Sequence, residues 1–472
     1  MPNKLNTLDY AFLTLEKSTT PINVASLTVL EIPSDYEGNY PKDLLHQLLR
    51  QPATGPFRQK LSTPYPSSLH ATMPSWVDDD RFDIDYHVRH VALPAPGSMQ
   101  DLLDLTSRLH GRPLERSRPL WECYLVEGVE NNCFAIYLKM HHAAIDGMGG
   151  VELMKHWFNP SPTGEIKAPW AWLPAHLSEN KNSHNPSDGI FSAATKLFSQ
   201  MISHTETVQD LSKMLFGQYL KVIGFNHNQS PVPFTAPHSM FNVPINSTRR
   251  FVVKSLPLSD IVELCKPANA TVNDIVLFLC SSAMRRYMIE KDKLPQRSLN
   301  ASVPVALDKS SHSGNQITYV IADLATNESD ALARIARIAH STKDAKGELI
   351  GISSAAATNF AFLAQGLVAM LNQLHMAKLV PPAANIVISN VPGPKNTLYF
   401  GSAKVVATYP LSVLIDGQAL NITVISYQNS ISFGLLACQD TVSDLDKIAD
   451  SIETSLEELK ASVYLKPELV DT

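Results

Sequence analysis

Cysteine is scarce in this chain: five in 472 residues, at Cys123, Cys133, Cys265, Cys280 and Cys438. The number is odd, the spacing wide, and there is no CxxC pair or Cys/His ligand spacing, which excludes a disulfide framework and a cysteine-built zinc site. The thiols read as buried residues of a reducing compartment. Charge is sparse as well, at 18% of residues with a formal net charge of -6 and a pI near 6.2. That balance excludes a surface built to coat nucleic acid, whose phosphates call for a strongly basic face. The opening MPNKLNTLDYAFLTLEK has no continuous apolar core of a signal peptide, so a cytoplasmic location is expected. The glycine-rich signatures of phosphate and dinucleotide cradles, GxxxxGK[ST] and GxGxxG, are missing, and so is the GxSxG of a serine nucleophile.

The longest run without a charge is 349–377. Ser, Thr, Asn, Gln and His interrupt it, while Phe360, Leu363, Leu367, Met370, Leu371 and Leu374 recur at helical spacing. One packed face implies a helix buried in the protein or lying at an interface, not one crossing a bilayer.

The length predicts two large domains. Strands are expected over 24–32, 121–129 and 133–140, the last two joined by a hairpin at Glu130, Asn131 and Asn132, with helices over 43–50 and 99–110. Residues 159–189 are rich in Pro, Ser, Asn and Trp without sustained period, a linker composition, and 191–223 reads as helical before a second Pro/Asn-rich stretch. Alternation then resumes, with strands at 250–256, 299–305, 385–389, 403–408, 420–427 and 431–437 and helices at 272–289 and 331–340. The resulting division is an N-terminal domain over 1–158, a linker and connecting helical segment over 159–247, and a C-terminal domain over 248–472. The fold class is α/β: two halves with mixed sheets flanked by helices, joined by a long crossover.

Chemistry concentrates in KMHHAAIDGMGG, residues 139–150. Successive strand side chains face opposite ways, so His141 and His142 cannot converge on one metal ion or one substrate, and no catalytic metal is expected. Asp146 followed by Gly147 is a turn signal, and the small residues Ala143 and Ala144 leave room beside an imidazole. The segment therefore reads as a base in a bend, with an aspartate that braces the loop or orients the ring. A histidine titrating near 6.5 exchanges protons at neutrality, and such a base commonly contributes about 10²- to 10⁴-fold in rate. A pair of core-turn histidines is the plainer alternative.

HHAAIDG, from His141 to Gly147, matches the HHxxxDG signature of the acyltransferase superfamily that includes chloramphenicol acetyltransferase, peptide-synthetase condensation domains and carnitine acyltransferases. With LDYAFLTLE (8–16), TPINVASL (20–27), RPLWE (118–122), ND (Asn273, Asp274) and SNVPGP (389–394), the chain resembles the bacterial wax ester synthase/diacylglycerol acyltransferase family over nearly its whole length.

The resemblance implies two chloramphenicol-acetyltransferase-like domains. It also implies transfer of a fatty acyl group from acyl-CoA, a substrate rather than a bound cofactor, to a long-chain fatty alcohol or to diacylglycerol. By matching position His142 would be the general base, His141 a supporting residue, Asp146 a structural or orienting residue, Gly147 the turn former and Asn273 a source of site polarity. Asp274 has a simpler use, since Thr271 and Asp274 form a T-x-x-D capping box. Ala144 would line a tunnel for the alkyl chain, whose burial is worth roughly 0.8 kcal/mol per methylene. Arg285, Arg286, Lys291 and Lys293 read as a solvated charged face, and His110, His156, His340 and His375 as satisfied or solvated histidines. No nucleic acid partner is expected; peripheral contact with a membrane or lipid inclusion is. The competing readings are a carrier-protein-dependent condensation enzyme and a non-catalytic protein that coats lipid inclusions.

Overall fold

The computed structural model describes residues 3–5, 7–63, 74–145, 147–172, 231–306, 317–348 and 380–464. In chain order its principal strands are β1 (Asn23–Glu31), β2 (Val88–Ala92), β3 (Trp121–Val129), β4 (Cys133–His141), β5 (Arg249–Pro257), β6 (Asn300–Ala306), β7 (Ile317–Asp323), β8 (Ile386–Val391), β9 (Tyr399–Phe400), β10 (Ala403–Leu411), β11 (Leu420–Tyr427) and β12 (Ser430–Cys438). The helices used below are α1 (Thr7–Leu15), α2 (Tyr40–Leu48), α3 (Met99–His110), α4 (Gly147–Trp157), α5 (Val272–Glu290), α6 (Ala331–Gly347) and α7 (Leu445–Tyr464).

The strands form two six-stranded mixed sheets. The first runs β9-β10-β1-β4-β3-β2 and the second β7-β6-β8-β11-β12-β5. Pairing is antiparallel except for β2 with β3 and for β8 with both of its neighbours. A small third sheet joins Asn3–Lys4, Ser75–Asp78 and Gln59–Leu61.

β4 occupies the middle of the first sheet, and all nine of its residues are buried, the pattern of a strand covered on both faces. Its hairpin to β3 turns at Asn131 and Asn132, both with φ near +60°, a backbone region that asparagine tolerates better than most residues. One face of the sheet packs Trp121, Trp157 and Trp170 with α2. The other meets the second sheet in a shared core of Leu27, Val29, Tyr137, Phe251, Tyr409 and Leu436.

In the second half α5 is buried from Asp274 through Met284 and is capped by Thr271, whose hydroxyl accepts the Asp274 N–H while the Asp274 carboxylate accepts the Thr271 N–H. α6 and α7 pack against it.

Two features depart from the simple reading of the chain. β10, which follows the strands of the second sheet in sequence, pairs instead with β1 and carries β9 to the edge of the first sheet. Hydrophobic alternation identifies a strand without naming its neighbour, and the free edge of β1 accepts this one. Strands β2, β7 and β9 and helices α1, α4 and α7 also stand outside the expected elements. The helices expected over 191–223 and 349–377 lie outside the described residues. Among the described residues no helix is long and apolar enough to cross a membrane.

Candidate active site

The site is built where β4 ends. His141, its last residue, pairs across the sheet with Asn23, and the His141 N–H donates to Leu120 O at 3.0 Å. The chain then turns: the His142 N–H donates to Ile22 O and the Ala144 N–H to His141 O, both at 2.9 Å. α4 begins at Gly147, so Gly147 stands at the junction of turn and helix. Asp146 lies outside the described residues.

The two histidines part company here. His141 is fully buried. Its Nδ1 accepts the Ala143 N–H at 3.0 Å, which leaves the ring proton on Nε2, and Nε2 faces Glu16 Oε1 at 3.5 Å. Glu16, 5% exposed, receives two hydrogen bonds on Oε2 from Arg116, from Nε at 3.1 Å and Nη2 at 2.9 Å, and one on Oε1 from the Ile22 N–H at 3.0 Å. Burial pushes its carboxyl up, but His141, the Ile22 N–H and Arg116 together outweigh that and hold it down to about 2. The same guanidinium donates to Leu13 O. His142 is half-buried, its ring centroid 4.4 Å from that of Phe12, one helical turn before Glu16. One imidazole is thus sealed against a carboxylate and the other, in the turn that follows the strand, is half-buried.

The remaining residues are placed as follows. Ala143 is buried, and Ala144 is half-buried against the apolar cluster of the first sheet. Asn273 is half-buried in the first turn of α5. Asp274 is buried; besides capping α5 it accepts the Thr342 hydroxyl at 2.6 Å, tying α5 to α6.

The cations after α5's first turns are engaged locally: Arg285 donates to Thr326 O, Arg286 pairs with Glu458 and Lys291 with Asp444, each at 2.7 Å. His110 bonds Tyr137 Oη and Ser412 O, and burial drives its pKa down to about 3, so it is a neutral strut. His340 stands 3.5 Å from Asp344 one helical turn on, and His375 lies outside the described residues. Among the described residues no three His, Cys, Asp or Glu side chains gather as metal ligands. Burial pushes the Cys123 thiol up to about 12, the wrong direction for a nucleophile.

Glu16, Arg116 and Phe12 were not singled out by chemical reading of the sequence. Glu16 and Phe12 do lie inside the LDYAFLTLE run, but 125 positions separate Glu16 from His141, and only the pairing of β1 with β4 closes that distance.

Comparison with known proteins covers nearly the whole chain. Residues 5–276 match the model of the wax ester synthase/diacylglycerol acyltransferase catalytic domain, and residues 313–460 that of the WS/DGAT C-terminal domain. The chain is 35% identical to a Mycobacterium tuberculosis protein described as "Probable diacyglycerol O-acyltransferase tgs2", over 98% of this chain and 99% of that one. It superposes on the wax ester synthase/diacylglycerol acyltransferase of Marinobacter aquaeolei VT8 with a TM-score of 0.76 at 30% identity, covering 98% of this chain and all of the other. The first condensation domain of the calcium-dependent antibiotic synthetase shares the fold at 11% identity, with a TM-score of 0.57 over 97% of this chain and 96% of its own.

Proposed function

The chain belongs to the wax ester synthase/diacylglycerol acyltransferase family, and from that premise we propose that it moves a fatty acyl group from acyl-CoA to a long-chain fatty alcohol, and also to diacylglycerol, with His142 as general base. In this reading the acceptor hydroxyl gives its proton to the His142 imidazole as its oxygen attacks the thioester carbonyl. The tetrahedral intermediate collapses with loss of the coenzyme A thiolate, which takes the proton back from the imidazolium. Ester and free thiol leave, and the histidine is restored. No acyl-enzyme is needed, consistent with the absence of a GxSxG elbow from the sequence and with the raised pKa of the Cys123 thiol.

The observation that carries the reading is the contrast between the two histidines. His142 is half-buried at a turn of small residues, while the fully buried ring of His141 faces Glu16. Asp146 and Gly147 would shape the turn, Ala144 would line the alkyl path, and Asn273 would add polarity from the other half. Both substrates are amphipathic, so the protein would work at the periphery of a membrane or lipid inclusion.

The test is thiol release from palmitoyl-CoA with and without hexadecanol, for the purified protein and for His142→Ala, with folding of the variant checked by circular dichroism. Alcohol-dependent release is expected in the parent protein and a loss of at least about 10²-fold in the variant. Release by a folded His142→Ala at the parent rate would remove His142 from the role. Turnover only with an acyl-carrier protein would replace the proposed donor.

A further inference from the structure

The geometry points to Glu16 as a positioning residue for the base, acting through His141 and Ile22. This rests on the reading of His142 given above. Glu16 Oε1 lies at the junction of two routes to that residue. Along one, the Ala143 N–H donates to His141 Nδ1 at 3.0 Å, which leaves the ring proton on Nε2, and the carboxylate faces that nitrogen at 3.5 Å, a charge approach without a formed hydrogen bond. Along the other, Oε1 accepts the Ile22 N–H at 3.0 Å, and the carbonyl of the same Ile22 accepts the His142 N–H at 2.9 Å.

The peptide groups on both sides of His142 are therefore referenced to one buried carboxylate. Arg116 compensates its charge with two hydrogen bonds to Oε2, and its bond to Leu13 O anchors the guanidinium to the end of α1. Glu16, Ile22, Arg116 and His141 come from three separate stretches of chain, and their shared function is the direction in which His142 leaves the sheet. A general base depends steeply on such placement: an error near 1 Å costs on the order of 10²-fold in rate.

Glu16→Gln isolates the effect. Its carboxamide keeps the shape, but turning the oxygen toward His141 and Ile22 sets the NH2 against Arg116, and turning it toward Arg116 sets the NH2 against two other donors. We compare Glu16→Gln, His141→Asn and the double variant in the palmitoyl-CoA/hexadecanol assay. Asn at 141 retains an acceptor for the Ala143 N–H and removes the donor facing Glu16.

For Glu16→Gln, kcat is expected to fall about 10- to 100-fold with KM for both substrates within about twofold. The double variant should lose less than the product of the two single losses, because part of Glu16's effect runs through His141. An unchanged kcat, a loss confined to KM, or fully multiplicative losses would overturn the assignment.

A second measurement needs no turnover and decides the case if Glu16→Gln fails to fold: nitrogen-15 resonances of histidine side chains, with His141 identified by its absence from His141→Asn. The parent protein should show His141 as the Nε2–H tautomer, and an Nδ1–H or doubly protonated ring at neutral pH would refute the proposal. Should the parent protein show no acyl transfer at all, the function proposed for His142 fails, and the tautomer still decides the Glu16–His141 link.

Discussion

His141 and His142 have the same chemistry and adjacent positions, yet the fold gives one a carboxylate in a sealed pocket and the other a half-buried place in the turn that follows the strand. Which of them meets Glu16 depends on how α1 lies against the end of β4. The carboxylate also predicts a pH dependence of stability. Its folded-state pKa of about 2 lies below the unfolded value of 4.5, so its contribution is fully present above pH 4.5 and is lost as the pH falls toward 2. At about 1.4 kcal/mol per unit the loss is on the order of 3 kcal/mol. Urea unfolding of the parent protein between pH 5 and pH 3 should therefore show a steeper decline than that of Glu16→Gln; equal slopes would mean that Glu16 carries no such linkage. Of this cluster His141 was legible because it sits in a motif. Glu16 and Arg116 were not, because a carboxylate and a guanidinium a hundred positions apart look like any surface pair until the chain is folded.

Local rules were legible in proportion to their strength. The span of α3 is marked by a serine cap with a reciprocal Asp101 partner, the β3–β4 hairpin by two asparagines, and α5 by Thr271 and Asp274. β2 passed unnoticed because its alternation is broken by Arg89 and His90 on a sheet edge, where one flank needs no apolar cover.

The SNVPGP turn carries a steric requirement at Gly393. Gly393 follows β8 so closely against β11 that a Cβ there would stand 2.0 Å from the Ser426 carbonyl oxygen. Its N–H also donates to Ser426 Oγ at 3.1 Å. Gly393→Ala is therefore expected to cost at least about 2 kcal/mol in chemical denaturation, since the obstacle is backbone and cannot swing aside. A loss below 0.5 kcal/mol by this order-of-magnitude reasoning would show that the turn relaxes freely.

At the scale of the molecule, the two halves are interlocked. β10 supplies the partner of β1 in the first sheet, and the buried hydroxyls of Thr28 and Thr408 meet at 3.3 Å across that seam. Arg250 of β5 bonds both Asp104 on α3 and Asp446 on α7, and the Phe251 N–H donates to Ser107 Oγ at 2.9 Å. Residues 1–230 expressed alone would leave the β1 edge open and the shared core of Leu27, Val29 and Tyr137 uncovered, a combination that favours aggregation. The fragment is expected to be insoluble by itself and soluble when co-expressed with residues 231–472; a soluble, cooperatively unfolding fragment would show that the first sheet closes without β10. By itself the sequence determined the α/β class, most of the long elements and the histidine motif, because periodicity, caps and turn residues act within a few positions of one another. Tertiary structure alone decided that β10 crosses to the first sheet and that Glu16 meets His141, because strand partners and buried ion pairs are chosen by packing between segments more than a hundred residues apart, which no local pattern records.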